Sequence, residues 1–254
     1  MSRGSDSRPA VLVIAGSDSS GGAGLIRDVQ VLTHFGCDAL CAVTAVTAQT
    51  DTRVTAVHPV PPETVRAQIA AALANRRIAA VKIGMLGTRE IVKAVVDSLR
   101  HMNAAAPIVL DPVLLSSSGG VLLDAAGREV LREQLMPRAT VATPNTNEAA
   151  ALLDEAPAID ESALSAQAQR LLAFGPRWIL LKGGHASGPD AVDLLVAAGG
   201  VTRIVGPRLD ATQRGTGCAL ASAIAAHLAF GEPMESACRK AKEYVSAQLR
   251  AAKG

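Results

Sequence analysis

Short runs of β-branched and aliphatic residues alternate with longer helix-like stretches along this chain of 254 residues. Each run is almost continuously apolar, which is typical of parallel strands that are buried on both faces. The intervening stretches predict helices that pack on the two sides of the sheet. The predicted strands lie at 10–16, 39–46, 79–85, 107–113, 139–145 and 178–184. The predicted helices lie at about 22–36, 61–75, 88–102, 124–136, 146–154 and 161–174.

The last quarter of the chain has a different pattern. Two weaker apolar runs, 192–197 and 201–206, flank the tripeptide AGG and predict an antiparallel pair at one edge of the sheet. Helices at roughly 216–230 and 233–251 close the chain, and Pro233 suits the start of the second one. Because no repeat, linker or low-complexity segment interrupts the pattern, we predict a flexible tail over 1–9 and a single α/β domain over 10–254.

Composition narrows the class of protein. Hydrophobic residues form 49% of the chain, which excludes a disordered protein. Aromatic residues form only 2% and the net charge is +2 with scattered basic residues, so nucleic acid is not an expected partner. The polar start MSRGSDSRPA does not resemble a signal peptide, and no run of about 18 apolar residues suits a membrane span. The four cysteines contain no CxxC pair, and Cys37 and Cys41 have a weak metal spacing without a partner His pair, so we predict that both are reduced core thiols in a cytoplasmic protein.

Polar and glycine-rich clusters follow the predicted strands. In open α/β sheets, ligands bind outside the carboxyl ends of the strands, where these clusters fall. Loops are also where glycine and serine ordinarily occur. The clusters nevertheless mix glycine with Asp, Asn, Lys and Glu, which favours a binding site. The loops are GSDSSGGAG, TAQT, GML, DPVLLSSSG, TPNTNE, LKGGH and RGTGC.

The first loop, AGSDSSGGAGLIRD, leads from a strand through glycines into a helix. It lacks the Lys-Ser/Thr pair of a P-loop, and Arg27 stands where a dinucleotide-binding loop has its third glycine. The glycines can instead let a flat small molecule lie against the backbone. Asp28, one turn into the helix, either faces that molecule or, like most helix carboxylates, is solvated or interacts with the helix dipole.

The GTGC segment predicts an anion site. Consecutive N–H groups at a glycine turn and a helix N-terminus bind anions through free donors and the helix dipole, which suits a phosphoryl group in transfer. A cysteine at this position is expected to have a pKa below the free value of about 8.5. The alternative is that Cys218 is a packing residue at the start of the Ala-rich helix CALASAIAAHLA.

Charged residues near three other strand ends complete the parts that phosphoryl transfer requires. Asp111 ends a buried strand, and Lys182 ends another, where a lysine is costly unless it meets an anion. Asn145 and Glu148 have the spacing of a helix capping box, which is a purely structural explanation for both.

Taken in order, these segments resemble the hydroxymethylpyrimidine/phosphomethylpyrimidine kinases of thiamine biosynthesis, within the ribokinase-like superfamily. The matching stretches cover about residues 10–250 and are IAGSDSSGGAGLIRD, TAVTAQT, KIGML, VLDPVLLSSSG, TPNTNEAAALL, LKGGH, DLL and GTGC. The resemblance implies a three-layer α/β/α sandwich with a mostly parallel sheet, and a homodimer. It also implies Mg²⁺-dependent transfer of the ATP γ-phosphoryl group to the pyrimidine alcohol and to its monophosphate.

The resemblance also assigns roles to individual residues. Gln49 matches the position that hydrogen-bonds the aminopyrimidine ring, for which an amide offers both a donor and an acceptor. Cys218 matches the residue that activates the substrate hydroxyl. The pocket around the pyrimidine is implied to include Gly16, Asp28, Met85 and Val113. The anion hole is implied to be Gly215, Thr216 and Gly217. The nucleotide side is implied to include Lys182, Asn145, Glu148 and Asp111, the last two also as candidate Mg²⁺ ligands.

This chain departs from the family pattern at several positions. Gln213 and Arg214 replace a usual Thr-His pair, Ser117 replaces a common Lys, and Ala219 replaces a frequent Thr. The chain also ends at AAKG, without the Gly- and His-containing tail that many members carry. We expect Arg214 to add positive charge beside the anion hole and to favour a phosphorylated substrate.

Three other functions stay open. The first is a pyridoxal kinase, since pyridoxal kinases of this fold use the same loops and cysteine. The second is a non-catalytic pyrimidine-binding sensor, against which the presence of Lys182, Glu148 and Cys218 argues, because binding a pyrimidine requires none of them. An NAD-dependent oxidoreductase is disfavoured, because the third glycine is absent and no acidic residue directly follows the second strand.

Overall fold

Nine strands form the centre of this protein in a computed structural model that describes residues 8–102, 105–116, 119–183, 190–209 and 214–252. The strands are β1 Ala10–Asp18, β2 Asp38–Gln49, β3 Val54–Pro59, β4 Ile78–Ile83, β5 Ile108–Leu110, β6 Val141–Ala142, β7 Trp178–Lys182, β8 Asp190–Ala197 and β9 Gly200–Pro207. Several sequence expectations lie outside the described residues: most of the predicted tail, Ser117, the end of LKGGH, Gln213 and the last two residues.

Eight α-helices occur in the described residues. They are α1 Gly24–His34, α2 Pro62–Asn75, α3 Arg89–Leu99, α4 Ala125–Val130, α5 Thr146–Leu153, α6 Glu161–Leu172, α7 Thr216–Ala229 and α8 Met234–Ala251. None of them combines the length and apolar character needed to cross a lipid bilayer.

The sheet has the order β3-β2-β1-β4-β5-β6-β7-β8-β9. Neighbouring strands from β2 to β7 are parallel, whereas the β2–β3, β7–β8 and β8–β9 pairs are antiparallel. The predicted antiparallel edge pair is therefore confirmed. The crossover connections between the parallel strands contain helices, as the alternating pattern predicted.

Two hydrophobic cores lie on the two faces of the sheet. In β1, Leu12 and Ile14 face one core and Val11 and Val13 face the other, since side chains alternate along a strand. Helices α2, α3, α5 and α6 cover the first core, and α1, α7 and α8 cover the second. This arrangement confirms the predicted three-layer α/β/α sandwich.

Three elements differ from the predicted ones. Strand β3 was missed, because its half-exposed edge position does not produce an apolar run. Strand β6 is shorter than the predicted 139–145, since Pro144 has no N–H for the ladder and Asn145 already caps α5. The predicted helix 124–136 is α-helical only to Val130, then continues as a π turn and a 3-10 turn at Pro137.

Candidate active site

A cleft of about 1650 Å³ lies at the carboxyl ends of the parallel strands. It exceeds the roughly 300–1,000 Å³ of a pocket for one small molecule, so it has room for two ligands. Twelve residues assigned by the resemblance line it: Gly16, Gln49, Met85, Asp111, Val113, Asn145, Glu148, Lys182, Gly215, Thr216, Gly217 and Cys218.

The N-terminus of α7 opens directly onto this cleft. Gly215 caps the helix with a left-handed φ of 73°, and a Cβ atom there would overlap the carbonyl oxygen of Gly22. Only glycine satisfies both conditions without strain. The first-turn N–H groups that follow have no partner within the helix, which makes this turn suitable for an anion. The side-chain amine of Lys182 lies close by, since a Cβ at Gly217 would be 3.2 Å from its Nζ.

Lys182 bridges two carboxylates from other elements. Its Nζ donates a hydrogen bond to Asp111 Oδ1 at 3.0 Å and lies 3.8 Å from Glu148 Oε2. Burial alone would lower the pKa of Lys182, but Asp111 and Glu148 outweigh it and raise the pKa above its usual value. The expectation that this buried-strand lysine meets an anion is therefore confirmed.

The Glu148 carboxylate interacts both with Lys182 and with the main chain of Asn145. Its Oε2 accepts a hydrogen bond from the Asn145 N–H at 2.7 Å, and Asn145 Oδ1 accepts one from the Glu148 N–H at 2.8 Å, so the predicted capping box is present. Burial raises the pKa of Glu148 to about 7, although Lys182 opposes the rise. The capping box thus orients a carboxyl group that also faces the cleft.

The donors near Lys182 suit Mg²⁺ that arrives with a nucleotide. Mg²⁺ is commonly held by one or two carboxylates together with substrate phosphates. Asp111 and Glu148 line the cleft and offer such oxygens. Among the described residues, no group of three or more His, Cys, Asp or Glu side chains forms a dedicated metal cage.

Cys218 lies in the first turn of α7, and the nearby Gly24 N–H favours its thiolate form. The expected drop in its pKa is wrong. Burial raises the pKa of Cys218 to about 11, against the lowering effect of Lys82, and Asp28 and Asp111 raise it further. At neutral pH the resting side chain is therefore a thiol, because loss of solvation outweighs the favourable helix end.

Asp28 does not line the cleft, in contrast to the role implied by the resemblance. It is fully buried and accepts hydrogen bonds from Lys82 Nζ at 2.7 Å and from Ser222 Oγ at 2.8 Å. Burial raises the pKa of Asp28, and the Lys82 ammonium opposes that rise. Lys82 is the member of this ion pair that lines the cleft.

Lys82 is a site residue that the sequence interpretation missed. The signal was present, because a lysine inside the apolar strand AAVKIGM requires an anion for the same reason as Lys182. Burial alone would lower the pKa of Lys82, but the Asp28 carboxylate outweighs burial and raises the pKa.

The sequence interpretation also missed Asp193, a charged residue within the strand β8. Its carboxylate accepts a hydrogen bond from the Gly183 N–H at 3.1 Å and another from Lys242 Nζ at 2.7 Å.

Gln49 lies at the end of the cleft formed by β2 and the glycine-rich loop. Its side-chain Oε1 is 3.3 Å from the Thr47 hydroxyl, and its main chain exchanges hydrogen bonds with the Ser19 hydroxyl at 2.8 and 3.0 Å. A Cβ at Gly16 would be 2.7 Å from the sulfur of Met85, so a larger residue there would make the Met85 side chain move.

Arg214 lines the cleft but does not present a free charge to it. Its guanidinium contacts the Asp18 carboxylate at 3.0 Å. This ion pair offsets the positive charge on which the expected attraction of a phosphorylated substrate relied, and that expectation stays a prediction.

Together, the sandwich, the glycine turn that opens a buried helix, and the neighbouring lysine–carboxylate cluster define a ribokinase-like small-molecule kinase. The family model for phosphomethylpyrimidine kinase matches residues 18–254. The chain belongs to the phosphomethylpyrimidine kinase family and is a phosphotransferase.

Individual relatives agree with this membership. The hydroxymethylpyrimidine/phosphomethylpyrimidine kinase of Streptomyces coelicolor is 44% identical over 244 residues, which cover 96% of this chain and 89% of the relative. The crystal structure of phosphomethylpyrimidine kinase from Clostridium difficile 630 is 33% identical with a TM-score of 0.84, covering 95% of this chain and 100% of that one. The pyridoxal kinase from Staphylococcus aureus in complex with pyridoxal is 29% identical with a TM-score of 0.88, covering 96% and 88%. That kinase is also solved with AMP-PCP and pyridoxal together.

Proposed function

We propose that the protein transfers the γ-phosphoryl group of ATP to 4-amino-5-hydroxymethyl-2-methylpyrimidine and then to its monophosphate, forming the diphosphate for thiamine biosynthesis. The observation that carries the proposal is a single cleft lined by Cys218, Lys182 and the α7 N-terminus, with Gln49 toward its other end. The 44% identity to a relative named for both activities supports the choice of substrate.

The α7 N-terminus binds the phosphoryl group in transfer. N–H groups of the first turn donate hydrogen bonds to its equatorial oxygens, and Lys182 neutralises charge beside them. The O–P bond to the substrate forms as the bond between the γ-phosphorus and its bridging oxygen breaks. Since the transition state is loose, preorganised donors and charge contribute more to the rate than a strong base does.

Mg²⁺ fits beside this turn. Asp111 and Glu148 would hold it together with the nucleotide phosphates. When bound, the ion neutralises charge that builds up on those phosphates. Deprotonated Glu148 is needed for this role, and its pKa of about 7 makes the ionised form accessible at neutral pH.

Cys218 orients the substrate hydroxyl. With a pKa of about 11, the resting thiol is neutral and is a hydrogen-bonding group, not a preformed thiolate base. The hydroxyl proton leaves late, after the O–P bond has largely formed and the oxygen has become acidic. A weak acceptor such as a phosphoryl oxygen is then sufficient.

Gln49 recognises the pyrimidine. Its amide pairs a donor and an acceptor, which matches an amino group beside a ring nitrogen. The Ser19 hydroxyl holds the Gln49 main chain on both its N–H and C=O groups. Met85 and Val113 supply apolar contact for the ring.

Pyridoxal is the second candidate substrate. The observation that supports it is the shared fold with a pyridoxal kinase in complex with pyridoxal, at a TM-score of 0.88 over 96% of this chain. Pyridoxal shares a flat heteroaromatic ring with a hydroxymethyl group, and the same cleft suits both.

An assay of ADP release against the pyrimidine alcohol, its monophosphate and pyridoxal tests the proposal. We expect turnover of both pyrimidines to exceed that of pyridoxal. Cys218→Ala should lower kcat by about 10²-fold or more while ATP and pyrimidine binding stay nearly unchanged. Gln49→Ala should raise the KM for the pyrimidine at least about tenfold and spare the KM for ATP.

Matched variants control for nonspecific damage. Cys41→Ala removes another half-buried cysteine, and Gln134→Ala removes an exposed glutamine; both should behave like wild type. Preference for pyridoxal would transfer the proposal to the second candidate. No ADP release with any of the three compounds would leave a pyrimidine-binding sensor. Sedimentation of the same samples tests the homodimer that the family resemblance implies.

A further inference from the structure

Arg214 connects three segments that are distant in sequence. Its Nη2 donates to Asp18 Oδ2 at 3.0 Å, and its Nη1 donates to the Ser20 hydroxyl at 3.1 Å. The same Nη1 donates to the Thr50 carbonyl oxygen at 2.6 Å, in the turn between β2 and β3. Since Arg214 directly precedes Gly215, the guanidinium joins the glycine-rich loop and this turn to the start of α7. The side chain is only 17% exposed.

Asp18 is the centre of the contacts. Its Oδ1 accepts hydrogen bonds from the N–H and the hydroxyl of Ser20, each at 2.9 Å. Its Oδ2 accepts from the Ala23 N–H at 2.9 Å as well as from Arg214. The carboxylate thus holds the glycine-rich loop in one shape, and the guanidinium attaches that shape to the α7 N-terminus.

The same loop holds the residue proposed to recognise the pyrimidine. Ser19 lies between Asp18 and Ser20, and its hydroxyl exchanges hydrogen bonds with the N–H and C=O of Gln49. The Thr47 hydroxyl donates to the Ser17 carbonyl oxygen at 2.9 Å. A continuous path of hydrogen bonds therefore runs from the anion turn through Arg214 and the loop to Gln49.

We propose that Arg214 is a positioning residue that fixes the distance and angle between the pyrimidine-binding end and the phosphoryl-binding end of the cleft. The inference rests on the proposed function, because it assigns those two ends. Its physical reason is that transfer requires the attacking oxygen in line with the phosphorus, and a displacement of about 1 Å can reduce the rate about 10²-fold. A charge-attraction role would require a guanidinium without an internal carboxylate partner.

Kinetics of Arg214→Met, Arg214→Lys and Asp18→Asn test the proposal. Arg214→Met should lower kcat by about 10²-fold, equally for the pyrimidine alcohol and its monophosphate, and change the KM for ATP less than about twofold. Arg214→Lys should recover part of the loss, since an ammonium reaches Asp18 but does not form the fork to Thr50. The Asp18→Asn/Arg214→Met double variant should be no slower than the slower single variant.

Arg53→Met is the matched control, because it removes one exposed positive charge from the same turn. It should retain wild-type kcat. A loss in Arg214→Met that is confined to the monophosphate, or that is no larger than in Arg53→Met, overturns the proposal.

Hydrogen exchange in the ligand-free protein separates this proposal from the proposed function. Arg214→Met should speed amide exchange in residues 18–24 and 49–53 and leave exchange in β4 to β7 unchanged. Arg53→Met should leave exchange unchanged in all of these segments. Unchanged exchange in the first two segments refutes the positioning role, even if the enzyme phosphorylates the pyrimidine. Faster exchange without kinase activity on any pyrimidine refutes the proposed function and leaves the structural link standing.

Discussion

The buried ion pair between Lys82 and Asp28 makes a quantitative prediction for the Lys82→Met variant. Both side chains are fully buried, and their charged atoms are 2.7 Å apart. The substitution keeps an unbranched side chain of similar length and removes the ammonium. Among the residues that the structure describes, Asp28 then keeps one side-chain partner, the Ser222 hydroxyl at 2.8 Å.

The expected loss of unfolding free energy at pH 8 is about 3–5 kcal/mol, since removal of one member of a buried pair leaves the other charge uncompensated. The loss should depend on pH. Burial already raises the pKa of Asp28, and Lys82 opposes the rise, so the variant raises that pKa further. A carboxyl group whose folded pKa exceeds its unfolded value destabilises the fold progressively as pH rises above about 4. The variant should therefore lose less at pH 5 than at pH 8, by about 2 kcal/mol or more.

Urea unfolding at pH 5 and pH 8 measures both effects, with Trp178, the single tryptophan, as the fluorescent probe. Lys93→Met removes an exposed lysine and should be close to neutral at both pH values. The Lys82→Met/Asp28→Asn double variant should recover at least half of the loss, because it removes the unpaired charge. A loss below about 1 kcal/mol at pH 8, or a larger loss at pH 5, would refute the reasoning.

Two further predictions concern the α7 N-terminus. Iodoacetamide should alkylate Cys218 slowly at pH 7, and the rate should rise about tenfold for each pH unit toward its pKa of about 11. Peptide mass spectrometry measures this rate, and a rate that levels off by pH 8 would contradict the raised pKa. Gly215→Ala should lower kcat/KM by about 10²-fold, because a Cβ both strains the φ of 73° and overlaps Gly22. Gly231→Ala, with a φ of 82° and open space around it, carries similar strain and should keep normal activity; equal activity losses in the two variants would show that backbone strain alone is responsible.

Residue patterns predicted the sheet and the location of the cleft because the signals for both lie in short stretches of neighbouring residues. Near-continuous apolar runs identify parallel strands, and the strands' carboxyl ends determine which loops meet. The sequence also predicted that Lys182 has an anionic partner, since a lysine at the end of a buried strand requires an anion. Its identity as Asp111 depends on strand order, which places β5 near β7.

Electrostatic details were not predictable from local pattern. The helix N-terminus alone favours a lower pKa for Cys218, but the surrounding protein removes solvent and places Asp28 and Asp111 nearby, and the result is a raised pKa. Asp28 was expected in the pocket because the family resemblance implied it, while its position one turn into a helix left its surroundings open. Its side chain instead points into the layer between sheet and α7, where Lys82 and Ser222 meet it.

By itself, the sequence determined the alternation of strands and helices along the chain apart from β3, the family, and which loops supply polar groups to a ligand. Those properties follow from apolar periodicity and from short motifs, each of which is contained in neighbouring residues. Tertiary structure alone decided that Arg214 is neutralised by Asp18, that Lys82 reaches the cleft wall, and that Cys218 rests as a thiol. Each of these depends on solvation and on charges brought together across more than 50 residues, distances over which local sequence carries no information.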